Sequence, residues 1–436
     1  MAVSPAREAA FAILLRVERD SAYAVELLHS PLLNSLSAVD RNLTTDIVMG
    51  TLRWRSLLDA SIAGFVPVAL RKLDLEVLTA LRLGCYQLAF LDRMPVHAIV
   101  HESVELVKQA RKRSAAGMVN AVLRKLSEKR LELSASGKGL ANVYAHPQWL
   151  IDRWAQQFGF DKTEQICRYD QQVPATVLRL CNLGDEHALR ESGVELAAGA
   201  LMKSARVVVH GDVTATELFR TNRVAIQDEG SQLIAALVGE GKWILDCCAA
   251  PGGKTAAIAN AAPEAEIVAS DIYPHRAHLL RRMVINSNVQ VIAADALNLP
   301  FVSGFDRVLA DVPCSGTGTL ARNPEIKWKL QPKDIIDLQG RQIAILDAAL
   351  KHVSKTGRLV YSTCSLEAEE NKQVVEACLQ KNPEFRVVPV REDLLKLKET
   401  GMLVWEDLDQ LVSEDFLRTL PGVHPCDGFF AAIFER

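Results

Sequence analysis

Apolar residues recur at helical spacing through about the first 130 residues of the chain. Ala10, Phe11 and Leu14, for example, fall on one face of a helix. Further helices of this kind are predicted at 40–62, 75–91, 95–111 and 115–130. Asp40 is the predicted N-cap of the first of these. Because strand-like alternation is absent, the pattern predicts an all-α domain over residues 1–140.

The pattern becomes mixed farther along the chain. A helix is predicted near 147–158, and short strands are predicted near 175–181 and 206–209. The small residues SASGKG at 134–139 predict a linker ahead of this region. We therefore expect a small α+β module over residues 145–238.

Strands of the buried type alternate with helices in the last part of the chain. The strands are predicted at 243–248, 266–270, 289–293, 305–310 and 357–363, and the helices include 275–286 and 334–353. Such alternation is typical of a doubly wound α/β domain with a mostly parallel sheet, here over residues 239–436. The final segment, FFAAIFER, is predicted to add an antiparallel edge strand.

Charge is unevenly distributed along the chain, although the net charge is only −3. Residues 1–140 carry 19 Lys and Arg against 14 Asp and Glu, whereas the remainder carries 31 against 39. The last two predicted helices hold the basic residues Lys108, Arg111, Lys112, Arg113, Arg124, Lys125, Lys129 and Arg130, opposed by Glu128. This cluster favours a surface that contacts phosphates, with an ordinary solvated helix surface as the alternative.

Composition argues against several other classes of protein. Nine cysteines in 436 residues, with no C-x-x-C pair, do not form a disulfide framework or a zinc ribbon, and the ten histidines lack metal-ligand spacing. The amino terminus lacks a signal-peptide pattern, and no run of 18 apolar residues occurs. We expect a cytoplasmic monomer with no metal and no membrane partner.

A glycine turn follows the first strand of the α/β domain, in the sequence LDCCAAPGGKT at 245–255. Gly252 and Gly253 let the backbone approach a ligand, but a phosphate-binding loop would need glycine where Cys248 stands. Three later strands end in acids, namely Asp271, Asp295 and Asp311. This pattern predicts a bound nucleoside with an amino-acid tail. The alternative is that each acid caps the next helix.

Two cysteines also follow strands, Cys314 in DVPCSGTG and Cys364 in STCS. Because they follow strands, both cysteines should reach the ligand edge of the sheet. The alternative is that they are inert thiols packed in the core. A helix predicted to begin near Leu366 would favour the Cys364 thiolate. A thiolate beside a methyl donor suggests addition at carbon 6 of a pyrimidine, which activates carbon 5. Asp311 would form a hydrogen bond with the amino edge of the base. The spacing of the motifs does not show which of the two thiols attacks.

These motifs, LDCCAAPGGKT, DVPCSGTG and YSTCSLEAEEN, resemble those of the Nol1/Nop2/Sun family of RNA 5-methylcytosine methyltransferases. The segments AVDRNLTTDIVMGTLRWRSLLD and MVNAVLRKL resemble the NusB-like RNA-binding domain. The resemblance implies a Rossmann-like, seven-stranded methyltransferase domain preceded by an RRM-like module. It also implies that the substrate is one cytosine of 16S rRNA. Val312 departs from the alanine usual in the family.

The resemblance further implies a role for each site residue. Cys364 would be the nucleophile, Cys314 would assist product release, and Asp311 would contact the base. S-adenosylmethionine would be bound by Cys248, Ala249, Ala250, Pro251, Gly252, Gly253, Lys254, Asp271, Asp295 and Asp311.

Other features carry weaker predictions. The segment QDEGS at 227–231 resembles a family motif, with a helix cap as the alternative. Trp328 could stack on a base, although a core role is favoured, and the acids at 367–370 are predicted to be a solvated helix start. Two other functions stay open, a DNA cytosine methyltransferase and a NusB-like RNA-binding factor with a vestigial enzyme domain. The sequence does not identify the target nucleotide.

Overall fold

The computed structural model describes residues 3–20, 22–128, 139–301 and 304–436. Its α-helices are α1 (Pro5–Arg19), α2 (Ala24–Leu28), α3 (Ala38–Arg53), α4 (Arg55–Ala63), α5 (Leu75–Phe90), α6 (Val96–Gln109), α7 (Ala116–Glu128), α8 (Leu140–Val143), α9 (Gln148–Phe158), α10 (Phe160–Asp170), α11 (Asp185–Glu191), α12 (Glu217–Arg220), α13 (Glu229–Val238), α14 (Gly253–Ala261), α15 (Pro274–Met283), α16 (Ile326–Lys329), α17 (Pro332–Leu350), α18 (Lys372–Lys381) and α19 (Val390–Glu399). Among these helices, none combines the length and the apolarity needed to cross a membrane.

The strands are β1 (Val177–Leu180), β2 (Glu195–Ala198), β3 (Ala205–His210), β4 (Val224–Ile226), β5 (Trp243–Asp246), β6 (Glu266–Asp271), β7 (Val289–Ala293), β8 (Phe305–Asp311), β9 (Val353–Thr363), β10 (Arg386–Val388), β11 (Val412–Ser413), β12 (Phe416–Arg418) and β13 (Phe430–Glu435). The chain forms two compact units, one of residues 1–173 and 320–329 and the other of residues 174–319 and 330–436. The predicted basic residues Lys129 and Arg130 and most of the predicted linker lie outside the described residues.

The first unit is helical, as the hydrophobic pattern predicts. Its core is built from the inward faces of α1 to α7, with Ile13, Ile47 and Leu81 essentially inaccessible to solvent. The segment predicted as one helix over 40–62 is two helices, α3 and α4, separated at Trp54.

The N-cap of α3 differs from the prediction. Ser37 occupies that position and its Oγ accepts a hydrogen bond from the Asp40 backbone N–H, 3.1 Å away. The prediction that Asp40 is the N-cap is therefore wrong. Asp40 lies in the first turn, where its carboxylate accepts a hydrogen bond from the Ser37 hydroxyl (2.7 Å) and complements the helix dipole.

Ten residues that follow the Cys314 motif, Leu320–Lys329, belong to this helical unit. Arg53 donates to the Ala321 carbonyl at 2.8 Å, and the indole of Trp328 donates to the Leu52 carbonyl at 2.5 Å. Trp328 is half-buried by this docking, which agrees with the favoured core role and not with base stacking. The hydrophobic pattern gave no sign that this segment leaves the α/β domain.

Lys327 is deeply buried in the docked segment, with 1% of its surface exposed, as is Glu325. Its Nζ has no hydrogen-bond partner within the described part of the chain. Burial, together with the nearby Arg53, lowers the pKa of Lys327 to about 7, although Asp170 opposes that shift. The buried pair formed by His146 and Asp170, 3.1 Å apart, lies in the same unit.

The second unit contains two sheets. The smaller is antiparallel with strand order β2-β3-β1-β4, and it confirms the short strands predicted at 175–181 and 206–209. The helix predicted at 147–158 in the same module as these strands is α9, and it belongs to the first unit, as does α10. The predicted boundaries at residues 140, 145 and 238 stay predictions.

The larger sheet has strand order β11-β12-β13-β9-β8-β5-β6-β7, and β10 also pairs with β13. The five strands β5 to β9 are parallel, as predicted. Within the described residues the sheet has nine strands where the resemblance implies seven: β5 to β9 and β13, together with the short strands β10, β11 and β12. The prediction that the last strand is an edge strand is wrong, since β13 lies between β9 and β12.

The buried Lys327 makes stability depend on pH. Its pKa in the folded protein, about 7, is below the unfolded value of about 10.4, so the unfolded chain binds more protons between these values and stability rises with pH there. We expect Lys327→Met to be more stable than the wild type at pH 7 by about 1–4 kcal/mol. Urea unfolding from pH 6 to 9.5 should show this difference shrinking as pH rises. A constant difference would contradict the titration of Lys327.

Candidate active site

The carboxyl ends of the parallel strands form one edge of the larger sheet. Strands β6 and β7 lie on one side of β5, whereas β8 and β9 lie on the other. The strand order therefore reverses between β5 and β8, where Asp246 is paired with Leu309. In open α/β sheets, ligands bind in the crevice outside such a reversal. The glycine turn follows β5 and the Cys314 motif follows β8, so both predicted motifs meet at this crevice.

The glycine turn is packed closely from behind. Gly252 adopts φ +114° as the N-cap of α14, and a Cβ at this position would lie 2.8 Å from both Leu280 and Val284. Arg276 donates to the Ala250 carbonyl at 2.9 Å and holds the other side of the turn. A side chain at residue 252 is thus excluded by conformation and by space.

Asp271 and Asp295 follow the neighbouring strands β6 and β7, which pair through Asp271 and Ala293. Asp271 is buried and accepts a hydrogen bond from the Tyr273 N–H (3.1 Å). Asp295 accepts one from the Leu297 N–H (3.0 Å). Each carboxylate therefore stabilises the turn after its own strand, and both lie along the ligand edge of the sheet. Neither caps a helix as the alternative expected, because the N-cap of α15 is Tyr273 without a side-chain hydrogen bond and the described residues between Asp295 and β8 contain no helix.

A further acid at this edge, Asp246, was missed by the sequence analysis. It ends β5, is almost fully buried, and accepts a hydrogen bond from the Thr255 hydroxyl at 2.7 Å. Its Oδ1 has no partner among the described residues. Burial raises the pKa of Asp246 to about 7. The signal was available, because Asp246 ends its strand just as Asp271 and Asp311 do.

Lys254 and Asp311, both predicted to bind the cofactor, bind each other. The Lys254 ammonium lies 2.6 Å from Asp311 Oδ2, and the Ser362 hydroxyl donates to Asp311 Oδ1 at 2.7 Å. Burial alone would lower the pKa of Lys254, but Asp311 outweighs it, so that the pKa is raised and Lys254 stays charged. A fixed cation therefore lies at the crevice between β5 and β8.

The two predicted reactive thiols are brought together. Asp311 in β8 is paired with Ser362 in β9, and the chains leaving these strands carry Cys314 and Cys364 to the same place. Their Sγ atoms are 3.3 Å apart, and both residues are half-buried. The hydrogen bond with Cys364, together with burial, holds the pKa of the Cys314 thiol well above its usual range. Lys254 is close enough to Cys364 for the two to interact electrostatically.

The helix expected near Leu366 is not there. A 3-10 turn spans Ala368–Glu370, and α18 begins only at Lys372. The prediction that a helix amino end favours the Cys364 thiolate is therefore wrong. The nearby positive charge comes instead from the Lys254 ammonium.

The acids after Cys364 are not a solvated helix start. Glu367 and Glu370 are fully buried. Glu370 accepts hydrogen bonds from the Ser315 N–H (2.8 Å) and from Gln342 (2.9 Å), and also from the Ser315 and Ser365 hydroxyls. The prediction failed because a run of acids gives no indication of which members face the interior.

The QDEGS segment precedes α13, and its helix-cap alternative is confirmed. The Asp228 side chain accepts a hydrogen bond from the Gly230 N–H at 2.8 Å as the N-cap. Gln227 accepts from buried Arg179 at 2.7 Å and donates to Ser231 at 3.1 Å. This segment thus links the small sheet to the start of α13 within the second unit.

The predicted basic surface lies on α6, α7 and the loop between them. Two of its members are paired with acids, Lys108 with Glu105 (2.7 Å) and Lys112 with Asp74 (3.0 Å). These contacts reduce the local positive charge below what the sequence suggested. Contact of this surface with RNA stays a prediction.

Three family models match the chain. The 16S rRNA methyltransferase RsmB/F model matches residues 234–435, the NusB family model matches residues 4–128, and the ferredoxin-like domain of the RsmF/B-like methyltransferases matches residues 146–185. The all-α, α+β and α/β order predicted from sequence is thereby confirmed.

Relatives and solved structures agree with these matches. The chain is 32% identical to the probable ribosomal RNA small subunit methyltransferase B of Bacillus subtilis, over 99% of this chain and 98% of the relative. It is 32% identical to the ribosomal RNA small subunit methyltransferase B of Escherichia coli, over 92% of each. The structure of PH0851 shares the fold, with a TM-score of 0.82, 23% identity and complete coverage of both chains.

A methyltransferase homologue from Pyrococcus horikoshii matches 68% of this chain and 97% of its own, with 26% identity and a TM-score of 0.54. The resemblance deduced from the motifs is confirmed by these findings, and RNA is favoured over DNA as the substrate. The chain belongs to the RsmB/F family of 16S rRNA methyltransferases and is an S-adenosylmethionine-dependent rRNA methyltransferase with a NusB-like domain.

Proposed function

We propose that this protein methylates carbon 5 of a cytosine in 16S rRNA through a covalent bond between Cys364 and carbon 6 of the base. The observation that carries the proposal is the pair of sulfur atoms 3.3 Å apart at the reversal of strand order. The Lys254–Asp311 pair lies beside them. Inert packed thiols would not need a half-buried cation within electrostatic range.

The reaction begins at carbon 6, because carbon 5 of cytosine is not nucleophilic. The Cys364 thiolate adds to carbon 6, and the displaced electron pair makes carbon 5 an enamine carbon. S-adenosylmethionine, when bound, supplies an electrophilic methyl group. After carbon 5 gains that methyl group it loses its proton, and the carbon–sulfur bond breaks to release Cys364 and restore the ring.

The charges at the site suit these steps. The Lys254 ammonium lies within electrostatic range of Cys364, and the nucleophilic form of a cysteine is the thiolate. Asp311 already holds Lys254 and Ser362, and its fixed carboxylate is a hydrogen-bond acceptor for the amino group of the base. Fixed polar groups of this kind cost no reorganisation during the reaction.

The two thiols take separate tasks because they interact. The pKa of Cys314 is high first of all because of its hydrogen bond with Cys364. Once Cys364 is bonded to carbon, its sulfur is an uncharged thioether and this cause is removed. Cys314 can then lose its proton to solvent, and the resulting thiolate accepts the proton from carbon 5. Its role in release therefore follows only after Cys364 has attacked.

The turn at 248–254 and the acids Asp271 and Asp295 are proposed to hold the cofactor. Gly252 fits this role because Leu280 and Val284 fill the space beside it, so that only a residue without a side chain fits the turn. Two carboxylates at the ends of adjacent strands suit the hydroxyl groups of a ribose. The alternative of a vestigial enzyme domain would not maintain this turn, and absence of cofactor binding would support that alternative.

Substitution of Gly252 tests the cofactor turn. Gly252→Ala places a Cβ 2.8 Å from Leu280 and Val284 and imposes φ +114° on alanine. We expect the affinity for S-adenosylmethionine, measured by calorimetry, to fall by about tenfold or more. Gly340→Ala in α17 is the control, because its added Cβ meets no described atom within 4 Å. Equal affinities of the two variants would remove the turn from the cofactor site.

The substrate is tested with RNA and DNA side by side. We expect label from the methyl group of S-adenosylmethionine to enter 16S rRNA and not DNA. Bisulfite sequencing of rRNA from a deletion strain should show the loss of one protected cytosine. Unchanged protection at every cytosine would contradict the proposed target.

The division of labour between the thiols is tested by substitution. Cys364→Ala should lower methyl transfer by at least about 10⁴-fold and form no covalent adduct, because the attacking atom is gone. Cys314→Ala should accumulate a protein–RNA adduct that survives denaturing electrophoresis. Cys181→Ser, which alters an exposed thiol, is the control. Normal turnover without an adduct in Cys314→Ala would assign release to another group.

A further inference from the structure

Glu370 contacts both cysteine loops at once. It is fully buried at the end of the 3-10 turn Ala368–Glu370. Its Oε1 accepts hydrogen bonds from the Ser315 N–H (2.8 Å) and from Gln342 (2.9 Å). Its Oε2 accepts from the hydroxyls of Ser315 and Ser365. One carboxylate thus joins elements that are far apart along the chain.

The positions of the two serines give this contact its meaning. Ser315 directly follows Cys314, and Ser365 directly follows Cys364. Their hydroxyl oxygens are 3.0 Å apart, close to the separation of the two Sγ atoms, 3.3 Å. Any movement of one serine relative to the other is therefore transmitted to the neighbouring thiols.

A buried carboxylate is costly unless donors surround it. Burial raises the pKa of Glu370, while the hydrogen bonds from Ser315, Ser365 and Gln342 oppose that rise. If the two loops needed only packing, an apolar residue at 370 would be the cheaper solution. An acid with several donors instead imposes one geometry on the loops.

We propose that Glu370 is a positioning residue that fixes the Cys314 and Cys364 loops relative to each other and so sets the distance between the two sulfur atoms. This inference rests on the proposed roles of the two cysteines. A second tie lies farther along the loops, where the Gly318 N–H donates to the Cys364 carbonyl at 2.9 Å. Glu370 acts one residue from each thiol, where a small displacement changes the sulfur separation most directly.

The Glu370 charge also contributes to the difference between the thiols. It adds to the causes that raise the pKa of Cys314, after the Cys364 hydrogen bond and burial. The Glu370 charge therefore helps to keep Cys314 protonated while Cys364 attacks. Position and charge act together, since both depend on the carboxylate at 370.

A first test needs neither RNA nor cofactor. Diamide takes two electrons and two protons from a pair of thiols and becomes a hydrazine as the sulfur–sulfur bond forms. Sulfur atoms 3.3 Å apart must approach to about 2.05 Å to close this bond. We expect linkage of Cys314 to Cys364, followed by mass spectrometry of the joined peptides, to be about tenfold slower in Glu370→Ala.

Two further variants keep this test independent of folding defects. Glu370→Gln retains an acceptor for the Ser315 N–H and should close at an intermediate rate. Glu376→Gln makes the same change on the exposed side of α18 and should close like the wild type. Equal closure rates in the wild type, Glu370→Gln and Glu370→Ala would overturn the positioning role.

A second test uses methyl transfer. We expect Glu370→Ala to lower kcat about 100-fold with little change in KM for RNA, because a displacement of about 1 Å costs that much in rate. Ser365→Ala removes one donor, and combined with Glu370→Gln it should cost less than the sum of the single effects. Strict additivity would mean that the two residues act separately.

The two tests separate this inference from the proposed function. If Cys364→Ala proved active, the proposed chemistry would fail, whereas the diamide experiment would still report on the loops. If closure depended on Glu370 but kcat did not, the loops would be tied together without a catalytic consequence and the positioning role would be overturned. A graded loss of both from wild type to Gln to Ala supports it.

Discussion

The parallel pairing of β8 with β9 is the constraint on which the site depends. With Asp311 opposite Ser362, the chain that leaves each strand begins at the same level of the sheet edge. Cys314 is three residues beyond Asp311, and Cys364 is two residues beyond Ser362, so both sulfurs reach one place. A register shift of one residue would turn the apolar side chains of these buried strands toward the wrong face. The core that fixes the register therefore also fixes the separation of the thiols.

Buried charge is organised differently in the two units. In the second unit each buried acid at the site has donors, from Thr255 at Asp246 to the serine hydroxyls at Glu370. Lys254 offsets the charge of Asp311 and acts on Cys364 as well. The Lys327 ammonium in the first unit, by contrast, has no hydrogen-bond acceptor among the described residues. Desolvation of buried charges thus shifts the pKa values of site residues in the second unit, whereas in the first unit it lowers the stability of the fold.

Local patterns predicted the elements well where burial and periodicity agreed. The parallel strands and the helical first unit were recovered because each leaves a repeat of apolar positions in the sequence. The end of a helix depends on single hydrogen bonds, which is why Ser37 and not Asp40 begins α3. The placement of β13 inside the sheet depends on pairing with distant short strands, and periodicity carries no information about partners.

The sequence by itself determined the order of folds, the glycine turn, the strand-end acids and the two cysteines, because each is a residue type at a fixed place in a local pattern. Tertiary structure alone decided which groups meet. It paired Lys254 with Asp311, buried Glu370 against the serines beside both cysteines, and placed the residues after the Cys314 motif in the helical unit. The physical reason is that the burial of a residue and its charge partners depend on segments far apart in the chain. A local sequence pattern does not show which distant segments come into contact.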